Sequence, residues 1–159
     1  MELDEFCREV LPASLGFARV LTADRGLAED LVQDVLVKLC SRPDRLDAIA
    51  NREAYVRRML VNEYVSWGRK WSRISATAQV PDTPTPDPSG AVDDRDLLLT
   101  SLAALPRRQR AVIVLRYFAG LADDEIAEEL SCSVSTVRSH ISRGLAALRI
   151  SEAVIEGAH

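Results

Sequence analysis

Apolar side chains recur every three or four positions along most of this chain, and no strong period-two alternation interrupts them. That pattern predicts an all-α fold with no sheet. A first helix is expected from about Leu3 to Leu21, followed by a turn at Ala23–Gly26. In AEDLVQDVLVKLC, residues 28–40, Ala28, Leu31, Val32, Val35 and Leu39 form one buried face. A loop around Arg42–Ala50 leads to NREAYVRRMLVNEYVSWGRKWSR, residues 51–73. There Val56, Leu60, Tyr64, Trp67 and Trp71 make an apolar stripe, and Arg58, Asn62, Ser66, Arg69 and Arg73 make a polar one.

The later half repeats the helical pattern. A helix is expected at about Asp93–Ala104. The next covers PRRQRAVIVLRYFAG, with Pro106 in its first turn and Gly120 as its C-terminal cap. A short helix at about Asp123–Leu130 turns inward Ile126, Ala127 and Leu130. Ser131–Cys132–Ser133 then makes a turn, with Ser133 as N-cap of the last helix. Val134, Val137, Ile141, Leu145 and Leu148 are its expected core stripe. Between the halves, Pro81, Pro84, Pro86, Pro88 and Gly90 forbid a continuous helix. The expected layout is therefore two small helical domains, 1–73 and 96–150, joined by an extended acidic linker at 74–95. The tail to residue 159 is grouped with the second domain.

Charge sharpens this map. The 159 residues carry a formal net charge of −4. Yet residues 51–75 hold Arg52, Arg57, Arg58, Arg69, Lys70 and Arg73 against only Glu53 and Glu63. Positive charge is thus local, with a weaker positive segment at the end of the chain. No apolar run approaches the roughly 20 residues of a membrane span. MELDEF lacks the basic and apolar regions of a signal peptide, so a cytoplasmic protein is expected. Cys7, Cys40 and Cys132 are widely spaced, and His140 and His159 are isolated. Reduced structural thiols are favoured over a redox or metal role, and no cofactor is expected.

Three constellations carry candidate chemistry. On the last helix, Ser135, Arg138, Ser139, Ser142 and Arg143 share a face away from the core stripe. Short hydroxyls let a helix approach a groove, and arginines reach phosphates or the acceptor edge of guanine. A short helix, a tight turn and a longer helix of this kind make a helix-turn-helix. In the central stretch, Arg57, Arg58, Arg69, Lys70 and Arg73 surround Asn62 and aromatic rings. Such groups neutralise phosphate and contact unpaired bases. Core packing is the favoured role for Trp67 and Trp71, and Asn62 taken alone fits an ordinary surface equally well. Asp30, Gln33 and Asp34 form an outward patch at i, i+3 and i+4. A basic protein partner and a plain solvated face fit that patch equally. Nothing supports catalysis: no Gly-rich phosphate loop, no histidine beside a nucleophile and no ligand cluster is present.

AEDLVQDVLVKL resembles the region 2 signature of extracytoplasmic-function sigma factors. LPRRQRAVIVLRYFAGLADDEIAEELSCSVSTVRSHISRGLAALR resembles their region 4 signature. RRMLVNEYVSWGRKWSR looks like the actinobacterial SigE-type version, and the likeness covers nearly the whole chain. The resemblance implies a factor that binds core RNA polymerase, through its β and β′ subunits, and directs it to promoter DNA. Asp30, Gln33 and Asp34 match positions that contact the β′ coiled coil. Asn62 matches a −10 contact, with the neighbouring basic residues holding the melted strand. Ser135, Thr136, Arg138, Ser139 and Arg143 match positions on the −35 recognition helix. The linker would thread near the active-site and RNA-exit channels, and an anti-sigma factor is a family expectation. The chain departs from the pattern at Ser135 (commonly glycine), Gly144 (commonly alanine), His140 (commonly basic) and Ala122 (commonly a Ser or Thr cap, a role that passes to Asp123). Gly144 is expected to soften the helix, since interior glycine costs roughly 1 kcal/mol. The competing readings are a stand-alone helix-turn-helix regulator and an adaptor that binds polymerase without reading promoters.

Overall fold

A computed structural model describes residues 2–75 and 100–148, with side chains described to Trp67 in the first stretch. The described residues are helical and include no strand. The chain divides into two compact units, Met1–Gly68 and Arg69–His159. The expected linker lies almost wholly outside the described residues, as do residues 93–99 of the helix expected to follow it and the tail from Arg149. No described helix is long and apolar enough to cross a membrane.

The first unit begins with a helical hairpin. Helix α1 spans Leu3–Thr22 and α2 spans Arg25–Cys40. Phe6, Val10, Ser14, Ala18 and Leu21 of α1 are buried, three or four residues apart. They meet Ala28, Leu31, Val32, Val35 and Leu39 of α2, the five residues that the periodicity predicts. The connection is shorter than expected, because α2 starts at Arg25 and not at Ala28. Asp24 makes this possible: its carboxylate accepts from the Leu27 N–H at 2.9 Å, satisfying an orphan donor of the first turn. Ala23 supplies the reversal in the left-handed region, at φ 56°, and its N–H reaches the Arg19 carbonyl. The loop expected around Arg42–Ala50 contains a 3-10 helix, Pro43–Ala48, which buries Leu46.

Helix α3, Arg52–Ser75, is opened by Asn51, whose side chain accepts from the Ala54 N–H at 3.0 Å. Val56, Leu60, Tyr64 and Trp67 are buried as the stripe predicts, and Val61 joins them. Polar links also hold α3 to the hairpin. Arg52 pairs with Glu9 of α1 at 2.7 Å. Trp67 Nε1 donates to Asp34 Oδ2 of α2 at 3.1 Å, and Lys38 pairs with the buried Glu63. Advancing four residues on α2 thus retreats four on α3, the signature of antiparallel neighbours joined one turn apart. The side chain of Trp71 lies outside the described residues.

In the second unit, residues 100–103 are helical and precede α4, Arg107–Tyr117. Five consecutive residues of α4, Ala111–Leu115, are buried, so the middle of this helix is enclosed on every side. Arg110 is buried too, and its Nη2 donates to the Ala103 carbonyl at 2.7 Å, tying down the end of the preceding turn. Helix α4 stops at Tyr117, short of the expected Gly120. Gly120, at φ 70°, instead turns the chain back so that the Leu121 N–H reaches the Leu115 carbonyl at 3.0 Å. Helix α5 spans Asp123–Leu130 and α6 spans Val134–Ala147, and α4, α5 and α6 pack on one another. Ile126 and Ala127 are buried, whereas Leu130 is half-buried.

Candidate nucleic-acid interface

The recognition candidate is α6, and its start is fixed locally. Ser133 caps it as expected, its hydroxyl accepting from the Thr136 N–H at 3.0 Å. The preceding Ser131 sits in the left-handed region at φ 53°, and the Cys132 N–H returns to the Ala127 carbonyl at 3.0 Å. These bonds hold α5 and α6 at a sharp turn. Val137 and Leu148 are buried on the inner face. Val134, Ile141 and Leu145 are only half-buried, and the remaining buried position is Gly144. A Cβ at Gly144 would stand 3.0 Å from Ile113 Cγ1 of α4. The missing methyl is therefore what lets α6 lie close on α4. The expectation of a merely softened helix misses this, because sequence does not say which residue faces Gly144.

Opposite that inner line, Ser135, Arg138, Ser139, Ser142 and Arg143 are exposed. Thr136 is half-buried, and its hydroxyl lies 2.8 Å from that of Ser133, so it serves the cap as well as the surface. Asp123 differs from expectation. It is the first residue of α5 and not its cap; Ala122 holds the cap position. The Ala122 N–H is instead satisfied by Glu125 Oε1 at 3.1 Å, one half of a capping box that Ala122 cannot complete for lack of a side-chain acceptor. The Asp123 carboxylate is thereby free to engage arginines, taking Arg116 Nη1 at 3.1 Å and Arg138 Nε at 3.4 Å. Arg116 and Asp123 have no helical spacing to Arg138, so no periodicity in the sequence announces this group.

His140 is half-buried on α6, near Arg108 of α4 and Arg143 of α6. Burial, then the two guanidinium charges, hold its imidazole below the ordinary histidine range. Its Nδ1 is buried without a hydrogen-bond partner among the described residues.

In the first unit, Arg58, Asn62 and Ser66 are exposed along one side of α3, while Arg57 is half-buried. Arg69, Lys70 and Arg73 belong to the helical stretch of α3, and their side chains lie outside the described residues. On α2, Asp30 and Gln33 are exposed and Asp34 is half-buried, held by Trp67. Val37, one turn beyond Gln33 and Asp34 on that side, is 68% exposed. Cys7, Cys40 and Cys132 are free thiols. Burial first, then Cys40 and Asp4, push the Cys7 thiol up, away from its reactive thiolate form. Among the described residues, no three His, Cys, Asp or Glu side chains are grouped to hold a metal ion.

These features meet known proteins at both units. The model of sigma-70 region 2 matches residues 6–74, and that of sigma-70 region 4 matches residues 95–148. The RNA polymerase sigma-E factor of Streptomyces coelicolor is 34% identical over 151 residues, covering 94% of this chain and 85% of that protein. The ECF RNA polymerase sigma factor SigL of Mycobacterium tuberculosis is 33% identical over 84% of this chain and 79% of its own length. Among solved structures, the sigma factor RpoE of Bartonella quintana, in complex with the anti-sigma factor NepR, superposes with a TM-score of 0.69. It is 30% identical and the match covers 93% of this chain and 94% of that one. With both regions present in order along nearly its full length, the chain belongs to the extracytoplasmic-function sigma factors of the sigma-70 family.

Proposed function

We propose that this sigma factor brings core RNA polymerase to promoters by a two-point reading of DNA, with the residue roles that follow. On α6, Ser135, Thr136, Arg138, Ser139 and Arg143 contact the −35 element. On α3, Asn62 contacts the −10 element, and Arg57, Arg58, Arg69, Lys70 and Arg73 hold the melted strand. Asp30, Gln33 and Asp34 dock on the β′ subunit. The domains carrying these roles are 1–73 and 96–159, joined by the linker at 74–95. An anti-sigma factor that occludes these surfaces is part of the reading, supported by the RpoE–NepR complex of the structural relative.

One observation carries most of it. The outward face of α6 presents exposed arginines and serines, while its inward face is fixed by Val137, Gly144 and Leu148. A rigid helix with short polar groups and long guanidiniums on one side suits a major groove. The modest positive charge of this face explains why the helix does not act alone. Affinity for duplex DNA grows with the number of phosphates neutralised, and the polymerase supplies the remaining grip.

Reconstituted transcription with core polymerase and the full chain tests this reading. New start sites at a shared pair of spaced elements are expected. Binding to core without any change of start site overturns it.

A further inference from the structure

We propose that Asp123 is a specificity-determining positioning residue that aims Arg138 at its base, an inference that rests on α6 being the −35 reader. The carboxylate lies between two guanidiniums and uses one oxygen for each. Oδ1 takes Arg116 Nη1 at 3.1 Å and Oδ2 takes Arg138 Nε at 3.4 Å. The three side chains come from the end of α4, the start of α5 and the outer face of α6. No element holds two of them, so the tertiary fold alone assembles the group.

Burial decides which way the group works. The Asp123 side chain is 25% exposed, against 42% for Arg116 and 72% for Arg138. The acid therefore lies beneath the arginines, and they project past it. It takes an inner edge of Arg138 and leaves the terminal Nη groups free, with no other hydrogen bond among the described residues. A guanidinium is planar, with five N–H donors in a fixed fork. Holding Nε fixes the plane and turns outward the edge that grips the O6 and N7 of guanine in a bidentate pair. Arg116 takes the other carboxylate oxygen, so Asp123 is held from two sides and offers Oδ2 to Arg138.

The pair adds little to stability where it stands, because solvent screens an exposed ion pair. Its effect appears once DNA excludes water and the local dielectric falls. Asp123 also brings negative charge close to the phosphates, which weakens binding to every sequence alike. The two effects have opposite signs, and a merely structural residue would not produce both. Removing the acid is expected to blunt discrimination while leaving activity on mismatched promoters unchanged or raised.

Holoenzyme made from core polymerase and the full chain is assayed on a promoter set in which each −35 base pair is changed in turn. Arg138→Ala identifies the pair that Arg138 reads, as the position where discrimination collapses. Asp123→Asn and Asp123→Ala are each expected to lower discrimination at that pair by about three- to tenfold, a fraction of what a bidentate contact supplies. In the Arg138→Ala background, neither change lowers it further. Unchanged discrimination in both Asp123 variants overturns the proposal, as does an equal drop with and without Arg138. In either case a selective effect of Arg138→Ala leaves the −35 reading of α6 standing. Should Arg138→Ala alter no pair, that reading of Arg138 and the role of Asp123 fall together.

Discussion

His140 carries a consequence of its own at the residue scale. Burial and the neighbouring Arg108 and Arg143 disfavour its protonation in the folded chain. The unfolded chain takes up a proton near the ordinary value of about 6.5. As pH falls through that value, the unfolded state binds the proton first and the folded state is penalised. Stability contributed by the neutral imidazole is therefore complete above about pH 6.5 and declines below it. Urea unfolding of the full chain, followed in the region 4 unit, should show this loss as the pH falls below about 6.5. His140→Gln should flatten the dependence, and an unchanged slope in that variant would sink the assignment. The sequence marks His140 only as a departure from a common basic residue; the nearness of Arg108 comes from the packing of α4 on α6.

At the scale of elements, the α4–α6 contact is set by a side chain that is absent. Alanine at position 144 gains about 1 kcal/mol of helix propensity over glycine. It also drives a Cβ to 3.0 Å from Ile113 Cγ1 and 3.1 Å from Cδ1. Ile113 is 1% exposed and β-branched, so it has little room to yield. Overpacking of this kind costs about 1–3 kcal/mol, which outweighs the propensity gain. Gly144→Ala is expected to lower the stability of the region 4 unit by about 1 kcal/mol, read from its denaturation midpoint. In an Ile113→Ala background the same change should instead stabilise by up to about 1 kcal/mol. Additive behaviour of the two substitutions would show that the contact does not matter. The helices themselves were legible from three- and four-residue periodicity. Their ends were less so, because Asp24 and Gly120 act through particular backbone bonds that periodicity does not register.

At the scale of the whole molecule, the proposed docking residues lie on α2 and the proposed −35 residues on α6, so the two roles should separate. Asp34 is a poor probe of docking, because its carboxylate also accepts from Trp67. A change there disturbs the link between α2 and α3 as well as the surface. Asp30 is exposed on the same face of α2. Asp30→Lys is expected to weaken core binding, measured by competition for core polymerase, while leaving the preferred −35 sequence unchanged. Arg143→Ala should do the reverse: if Arg143 reads a −35 base pair as proposed, the change costs about 1–3 kcal/mol there with unaltered affinity for core. Equal losses in both assays for either variant would mean that the two surfaces are not independent.

The sequence by itself determined the helical class, the buried face of α2 and most of that of α3, the Ser133 cap and the outward serines and arginines of α6. These rest on spacing within a single helix, which the 3.6-residue turn converts directly into a face. Tertiary structure alone decided that Asp34 is held by Trp67, that Asp123 gathers Arg116 and Arg138, and that Gly144 makes room for Ile113. Each joins residues on different elements, and such meetings depend on the register and closeness of packed helices, which no local pattern encodes.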